Sequence, residues 1–262
     1  MLLAGSALKG YAIEASDGAI GSVSDFLFDD RSWKIRWMVV DTGKWLSGRK
    51  VLIHPSAIGQ PDFERRTLPV NLTKAKVEAS PDIMRDQPVS ARMENNLYGY
   101  YGWDSMWGGP GYFGGAPLMM APGWAPSSYI GETAAPGHDR ERDDGVFTEA
   151  EGDPHLRAMA EIAGYHVHAT DGVIGHVENF LIDDSSWGIR YLIIDTRNWW
   201  FGEHVLISPY AVRGVSWSDH EIKLDVGRAR VKSSPPWNPV EQIDQAYEKS
   251  LHNYYNWPGY GW

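Results

Sequence analysis

The chain has 262 residues, with 34 acidic against 24 basic residues, a net charge of −10 and no cysteine. The length suits about two domains of ordinary size, and the acidic balance disfavours nucleic-acid binding, which needs clustered Lys and Arg facing phosphate. Without cysteine there are no disulfides, no thiolate metal sites and no thiol nucleophile.

Met1 to Lys9 reads as a short lead-in, with neither the basic start nor the apolar stretch of a signal peptide. No run approaches the ~18 apolar residues of a membrane span, so a soluble, cytoplasmic protein is expected. From Tyr11 the residues alternate with the period of a half-buried strand: Tyr11 and Ile13 face one side, Ala12 and Glu14 the other. Asp17-Gly18 is a tight-turn signal. A second strand runs from about Ala19 to Phe28, and Gly21 within it predicts a bulge or sharp bend. After the turn Asp29-Asp30-Arg31-Ser32, the run Ile35 to Val40 is the best candidate for a buried central strand. Val51 to Ile53 and Thr67 to Val70 complete a set of short strands of the kind that closes into a small barrel. A helix is predicted from Asp86-Gln87-Pro88 onward, with Val89, Met93, Leu97 and Tyr100 on one face, ending in Tyr100-Tyr101-Gly102-Trp103.

Asp104 to Gly152 changes character. It contains GGPGYFGGAPLMMAPGWAPSS and then HDRERDDG, so it reads as a Gly/Pro/aromatic-rich linker whose Trp107, Tyr112 and Phe113 suit either packing back onto a barrel or docking another subunit. Asp153-Pro154-His155-Leu156 looks like a helix cap and first turn.

The whole plan then returns. Gly10 to Pro55 aligns without gaps to Gly164 to Pro209, an offset of 164 − 10 = 154, and about 40 % of positions between 10–81 and 164–235 are identical. Asp17-Gly18 returns as Asp171-Gly172, Trp33 as Trp187, Ile35-Arg36 as Ile189-Arg190, Trp45 as Trp199, and Tyr100-Tyr101 with Trp103 as Tyr254-Tyr255 with Trp257. The second helix is predicted to start with Asn238 as N-cap and Pro239 at its first position. Two like modules suggest a pseudo-two-fold arrangement, an intramolecular counterpart of an isologous dimer. The expected architecture is mainly β: a first barrel with its helix over 1–103, a linker over 104–152, and a second barrel with its helix over 153–262.

The DG-x-IG-x-V turn and strand, at Asp17 to Val23 and Asp171 to Val177, followed by an acidic turn and an Ile-Arg strand ending at Asp41 and Asp195, resembles the PRC-barrel family. That family includes the cytoplasmic domain of the photosynthetic reaction-centre H subunit and stand-alone bacterial proteins. The resemblance implies two PRC-type barrels used for protein–protein contact, without a shared active site and without a cofactor. It departs from the reaction-centre subunit, whose barrel follows a membrane-spanning helix.

No Gly-x-Ser-x-Gly elbow, phosphate loop or dinucleotide fingerprint is present, so a non-enzymatic assembly module is expected. Its partners would be proteins, with self-association or peripheral contact with an inner-membrane complex among the routes. The residues expected to meet a partner are the aromatics Trp45, Trp199, Trp200, Phe201, Tyr100, Tyr101, Trp103, Trp107, Tyr112, Phe113, Tyr254, Tyr255 and Trp257, since Tyr and Trp dominate interface energetics. Their competing role is to seal each barrel under its helix. An alternative reading is a ligand- or metal-binding sensor: His166 and His168 lie two apart on one strand, and His176 on its neighbour could be a third ligand. An RNA-processing role is a weaker alternative, opposed by the acidic charge.

Overall fold

The computed structural model describes residues 1–81, 89, 91–103, 153, 155–196, 204–238 and 243–261. The linker, the start of the first predicted helix, Pro239 and the aromatic loop Trp199-Trp200-Phe201 lie outside the described residues, as do Trp107, Tyr112 and Phe113.

The first half runs β1 (Leu2–Ala4), α1 (Gly5–Leu8), β2 (Ala12–Ala15), β3 (Gly18–Asp29), β4 (Lys34–Asp41), β5 (Lys50–Ile53), β6 (Thr67–Pro69), α2 (Lys74–Glu78) and α3 (Ala91–Tyr101). The second runs β7 (Leu156–Ala158), α4 (Met159–Ile162), β8 (His166–Ala169), β9 (Gly172–Asp183), β10 (Ile189–Asp195), β11 (His204–Ile207), β12 (Val212–Ser216), β13 (Glu221–Leu224), α5 (Arg228–Lys232) and α6 (Gln245–Tyr255). The protein is mainly β, built on two strongly bent sheets of the same plan. One has the order β5-β4-β3-β2-β6 and the other β11-β10-β9-β8-β13-β12. In both, the strand that opens the sheet pairs in parallel with the last one, β2 with β6 and β8 with β13, which curls the sheet toward a barrel.

The bends fall where glycine permits them. Gly21 has φ +148° and Gly175 φ +147°, and a Cβ on either would lie 2.2 Å from the Asp41 carbonyl oxygen or 1.9 Å from that of Asp195. Only a residue without a side chain lets β3 and β9 cross their neighbours this closely. The register of β2 against β3 slips beside Gly21, between Ile13 and Glu14, as a bulge requires.

The two lead-ins differ from the sequence expectation. Met1 to Lys9 contains a strand, and 156–158 is a strand where a helical turn was expected. Each joins the opposite half: β1 pairs antiparallel with the end of β9, and β7 with the end of β3. The short helices α1 and α4 follow these strands. The halves also meet through main-chain bonds from Ile35 N–H to Trp187 O and from Ile189 N–H to Trp33 O. The apolar interior is continuous across the junction, where Phe28 lies 6.2 Å from Phe180 and Phe26 lies 6.1 Å from Trp187 between ring centroids.

The second long helix starts later than predicted. Asp244, not Asn238, is its N-cap, with its carboxylate accepting from Tyr247 N–H at 2.7 Å. The helix stops at Asn256, whose φ of 62° is the left-handed conformation common at helix ends. Among the described residues no helix is long and apolar enough to cross a membrane.

Candidate functional site

The buried polar chemistry of each half sits where the long helix meets the central strand. Arg36 of β4 reaches the helix with Nη2 on Glu94 Oε2 at 2.7 Å, while Nη1 donates to Asp153 Oδ2 at 2.7 Å and lies 3.6 Å from Asp29 Oδ2. The adjacent Trp37, fully buried, donates its indole N–H to the other Glu94 oxygen at 2.5 Å. At the offset of 154 the constellation recurs. Arg190 meets Glu248 at 3.2 Å and pairs with Asp183, and the Tyr191 hydroxyl lies 3.1 Å from Glu248 Oε1. An Arg–carboxylate pair out of water holds one helix rotation and one depth, because any slip strands a buried charge.

These environments set the protonation states. Burial lifts the Glu94 carboxyl to about 7, helped by the neighbouring Asp153 and against the pull of Arg36 and Trp37. Arg36 stays charged: burial opposes its charge, but Glu94 and Asp153 outweigh that. For Asp183 burial works upward too, yet hydrogen bonds from Ser185 and Arg190 bring it down to about 2. His252 is held below its usual range, chiefly by burial. Its Nδ1 lies 2.6 Å from the Pro258 carbonyl oxygen, which can only accept, so Nδ1 carries the proton and Nε2 faces the Tyr191 hydroxyl at 2.8 Å.

The aromatic ends of the helices lie over this chemistry. Trp103 stacks on Tyr101 with centroids 4.0 Å apart and planes 13° apart, and Trp257 stacks on Tyr255 at 4.1 Å and 9°. Tyr101 and Tyr255 are buried, while Trp103 and Trp257 are half-buried and rest against His54 and His252 respectively. Tyr100 and Tyr254 donate their hydroxyls to Lys76 O and Arg230 O at 2.8 and 2.7 Å, tying the long helix to the short one before it. Trp45 is half-buried under Lys74, whose ammonium sits 5.0 Å from its ring centroid. Of the expected docking aromatics among the described residues, Tyr100 is the most exposed, at 38 %. The rest contribute area to the protein's own packing.

The three histidines proposed as ligands do not converge. His168 Nε2 faces Glu221 at 3.2 Å, His176 Nε2 lies 3.8 Å from Asp195, and among the described residues no group of three or more His, Asp and Glu side chains could hold a metal ion. The register instead places His166, His176, Asp195 and His204 in one row across β8, β9, β10 and β11. His204 is engaged by Glu178 at 2.8 Å. The corresponding row in the first half is Ala12, Ser22, Asp41 and Lys50.

Asp29 and Asp183 bond local backbone as expected of turn residues, to Ser32 N–H at 2.8 Å and Ser185 N–H at 2.9 Å. Asp41, at the end of the central strand, accepts from Gly43 N–H at 2.8 Å. The Arg36–Glu94 and Arg190–Glu248 pairs were missed in the sequence reading. Their signal was present: Glu94 and Glu248 are the same residue at the same offset of 154, on the helix faces that also carry Leu97 and Tyr101 and their counterparts Leu251 and Tyr255.

Barrel-type sheets closed by a helix through a buried ion pair define a β-barrel module. Residues 2–77 match the family model of the PRC-barrel domain, so the first half of the chain carries one and supports its description as a PRC-barrel protein. No curated protein matches the chain.

Proposed function

We propose that the chain is a non-catalytic assembly module of two PRC-type barrels, the second half being a barrel of the same type as the matched first. The observation that carries this is the engagement of the buried ionisable groups. Arg36, Glu94, Arg190 and Glu248 all hold helices in place, and the barrel interiors are filled by Trp37, Phe26, Phe28, Tyr191 and Phe180. Catalytic groups need a reacting centre within hydrogen-bond reach, and these carboxylates face arginines and ring donors of their own chain. The function then lies on the surface, in the strand-connecting loops and the tyrosine-bearing helix ends. The partner is a protein, in the cytoplasm or in a complex at the inner membrane.

The test is affinity capture from the native host, with soluble and membrane fractions analysed separately. A stoichiometric protein retained by the wild type and lost by the triple variant W199A/W200A/F201A, whose thermal unfolding midpoint matches wild type, is the expected result. Recovery of the bare chain from both fractions overturns the reading.

A further inference from the structure

The junction between the halves is reciprocal in atomic detail. Asp184 N–H donates to Met1 O at 3.1 Å, and at the offset of 154 Asp30 N–H donates to His155 O at 2.9 Å. Ser6 N–H donates to the Asn179 side-chain oxygen at 3.2 Å, and Ala160 N–H to the Asp25 carboxylate at 3.3 Å. The Ile35–Trp187 and Ile189–Trp33 bonds, at 2.8 and 2.7 Å, form the same kind of pair. Each half therefore finishes the other's longest strand: β1 on β9, and β7 on β3. A surface of this kind is isologous, made by one patch meeting its own counterpart.

We infer that a second copy of this chain is a partner for this surface, through exchange of β1 and β7 between chains. In the exchanged dimer, the first half of one copy closes on the second half of the other, and the reverse. Every junction contact is then made twice and none is lost, so the closed monomer is favoured only by the linkage of its halves. The linker from 104 to 152 has 49 residues (152 − 104 + 1). Fully extended it reaches on the order of 160 Å, long enough to serve either arrangement. A linker of this kind gives an effective concentration on the order of millimolar or below, so the dimer becomes appreciable as chain concentration approaches that range. This inference is independent of the protein partner proposed above.

The absence of native cysteine makes the exchange directly readable. Leu27 and Ala158 are register partners across β3 and β7. The bond from Asp30 N–H to His155 O three positions along fixes the alternation, making Leu27 and Ala158 a non-hydrogen-bonded pair, with the close Cα spacing a disulfide needs. L27C and A158C are placed on separate full-length chains, unfolded together, refolded at a series of concentrations and oxidised. A chain closed on itself brings neither cysteine to a partner; exchange brings both together.

The expected result is a disulfide-linked L27C–A158C heterodimer whose fraction rises with concentration and exceeds by about tenfold that of L27C mixed with A4C, since Ala4 pairs with Leu181 instead. The double variant L27C/A158C on one chain, refolded dilute, should close within the chain and show that the pair is competent. The symmetric pair A4C with L181C gives a second, independent readout. A heterodimer yield at the control level at every concentration, with the double variants closing normally, overturns the inference.

Discussion

The backbone N–H of Ile189 donates to the carbonyl oxygen of Trp33 at 2.7 Å. Trp33 has φ 54°, in the left-handed region that bulky side chains avoid, and so does Trp187 at φ 54°. Such a conformation costs on the order of 1–3 kcal/mol and persists only where the surroundings fix it. Here the turn that carries it presents each Trp carbonyl to the opposite half, while the ring is buried and, for Trp33, stacks on Phe28 at 5.3 Å. The two halves are joined by main chain as well as by side chains, and the junction should behave as part of the fold.

Leu3 tests this. It is 6 % exposed, belongs to the first half, and pairs with Ile182 of the second. Leu3→Ala should cost about 2–4 kcal/mol, the range for a buried leucine. The amides of β9 near Leu181 to Asp183 should lose hydrogen-exchange protection along with those of β1. Protection lost only within the first ten residues would show that the lead-in merely rests on its neighbour.

Gly175→Ala should destabilise by about 3 kcal/mol or more, because the new Cβ would fall 1.9 Å from Asp195 O at a φ of +147°. Gly214→Ala is the matched comparison: nothing lies within 4 Å of its Cβ position and its φ is ordinary. It should shift the urea midpoint little. Equal midpoints for the two variants would mean that the crossing of β9 over β10 is not fixed by glycine.

The Gly21 bend shows how much was legible in the sequence. Asp-Gly turns, strand alternation and an interrupting glycine are local signals, so the central strands and the repeat could be read directly. The pairings of β1 and β7 could not, because three-residue strands carry too little periodicity and their partners lie in the opposite half. The start of the second long helix was misplaced for a related reason. Asn238-Pro239 carries good capping chemistry, yet Asp244 is the cap, because the helix is seated by Glu248 on Arg190 and by Leu251 in the core. The histidines illustrate the same limit: spacing along β8 put His166 and His168 together, whereas cross-strand register groups His166 with His176, Asp195 and His204.

Glu94 predicts a pH dependence of opposite sign to an ordinary paired carboxylate. Its folded value of about 7 lies above the usual 4.5, so the folded state holds an extra proton between those two limits. The associated stability is fully present below pH 4.5 and is lost as pH rises to about 7, a change of about 3 kcal/mol. His252 works the other way, since a histidine held neutral by burial loses stability as pH falls below 6.5. The contribution of Glu94 is therefore isolated by subtraction. The difference in unfolding free energy between wild type and Glu94→Gln should favour wild type more at pH 5 than at pH 8. Parallel pH curves for the two proteins would place the titration elsewhere.

The helix-end aromatics predict a graded response. Trp257→Ala removes the 4.1 Å stack on Tyr255 and the contact with the buried His252 at 5.7 Å. A half-buried tryptophan with such contacts should cost about 2–4 kcal/mol. Tyr254→Phe removes only the hydroxyl that reaches Arg230 O at 2.7 Å, and keeps the ring stacked edge-on against Tyr255 at 4.9 Å. Because that hydroxyl is near solvent, the loss should stay at or below about 1 kcal/mol. If Trp257→Ala leaves the urea midpoint unchanged, the ring is not needed to seal the barrel, and its conspicuous position at the end of α6 would have to be explained by a partner instead. The two residues thus separate packing from docking on one helix end.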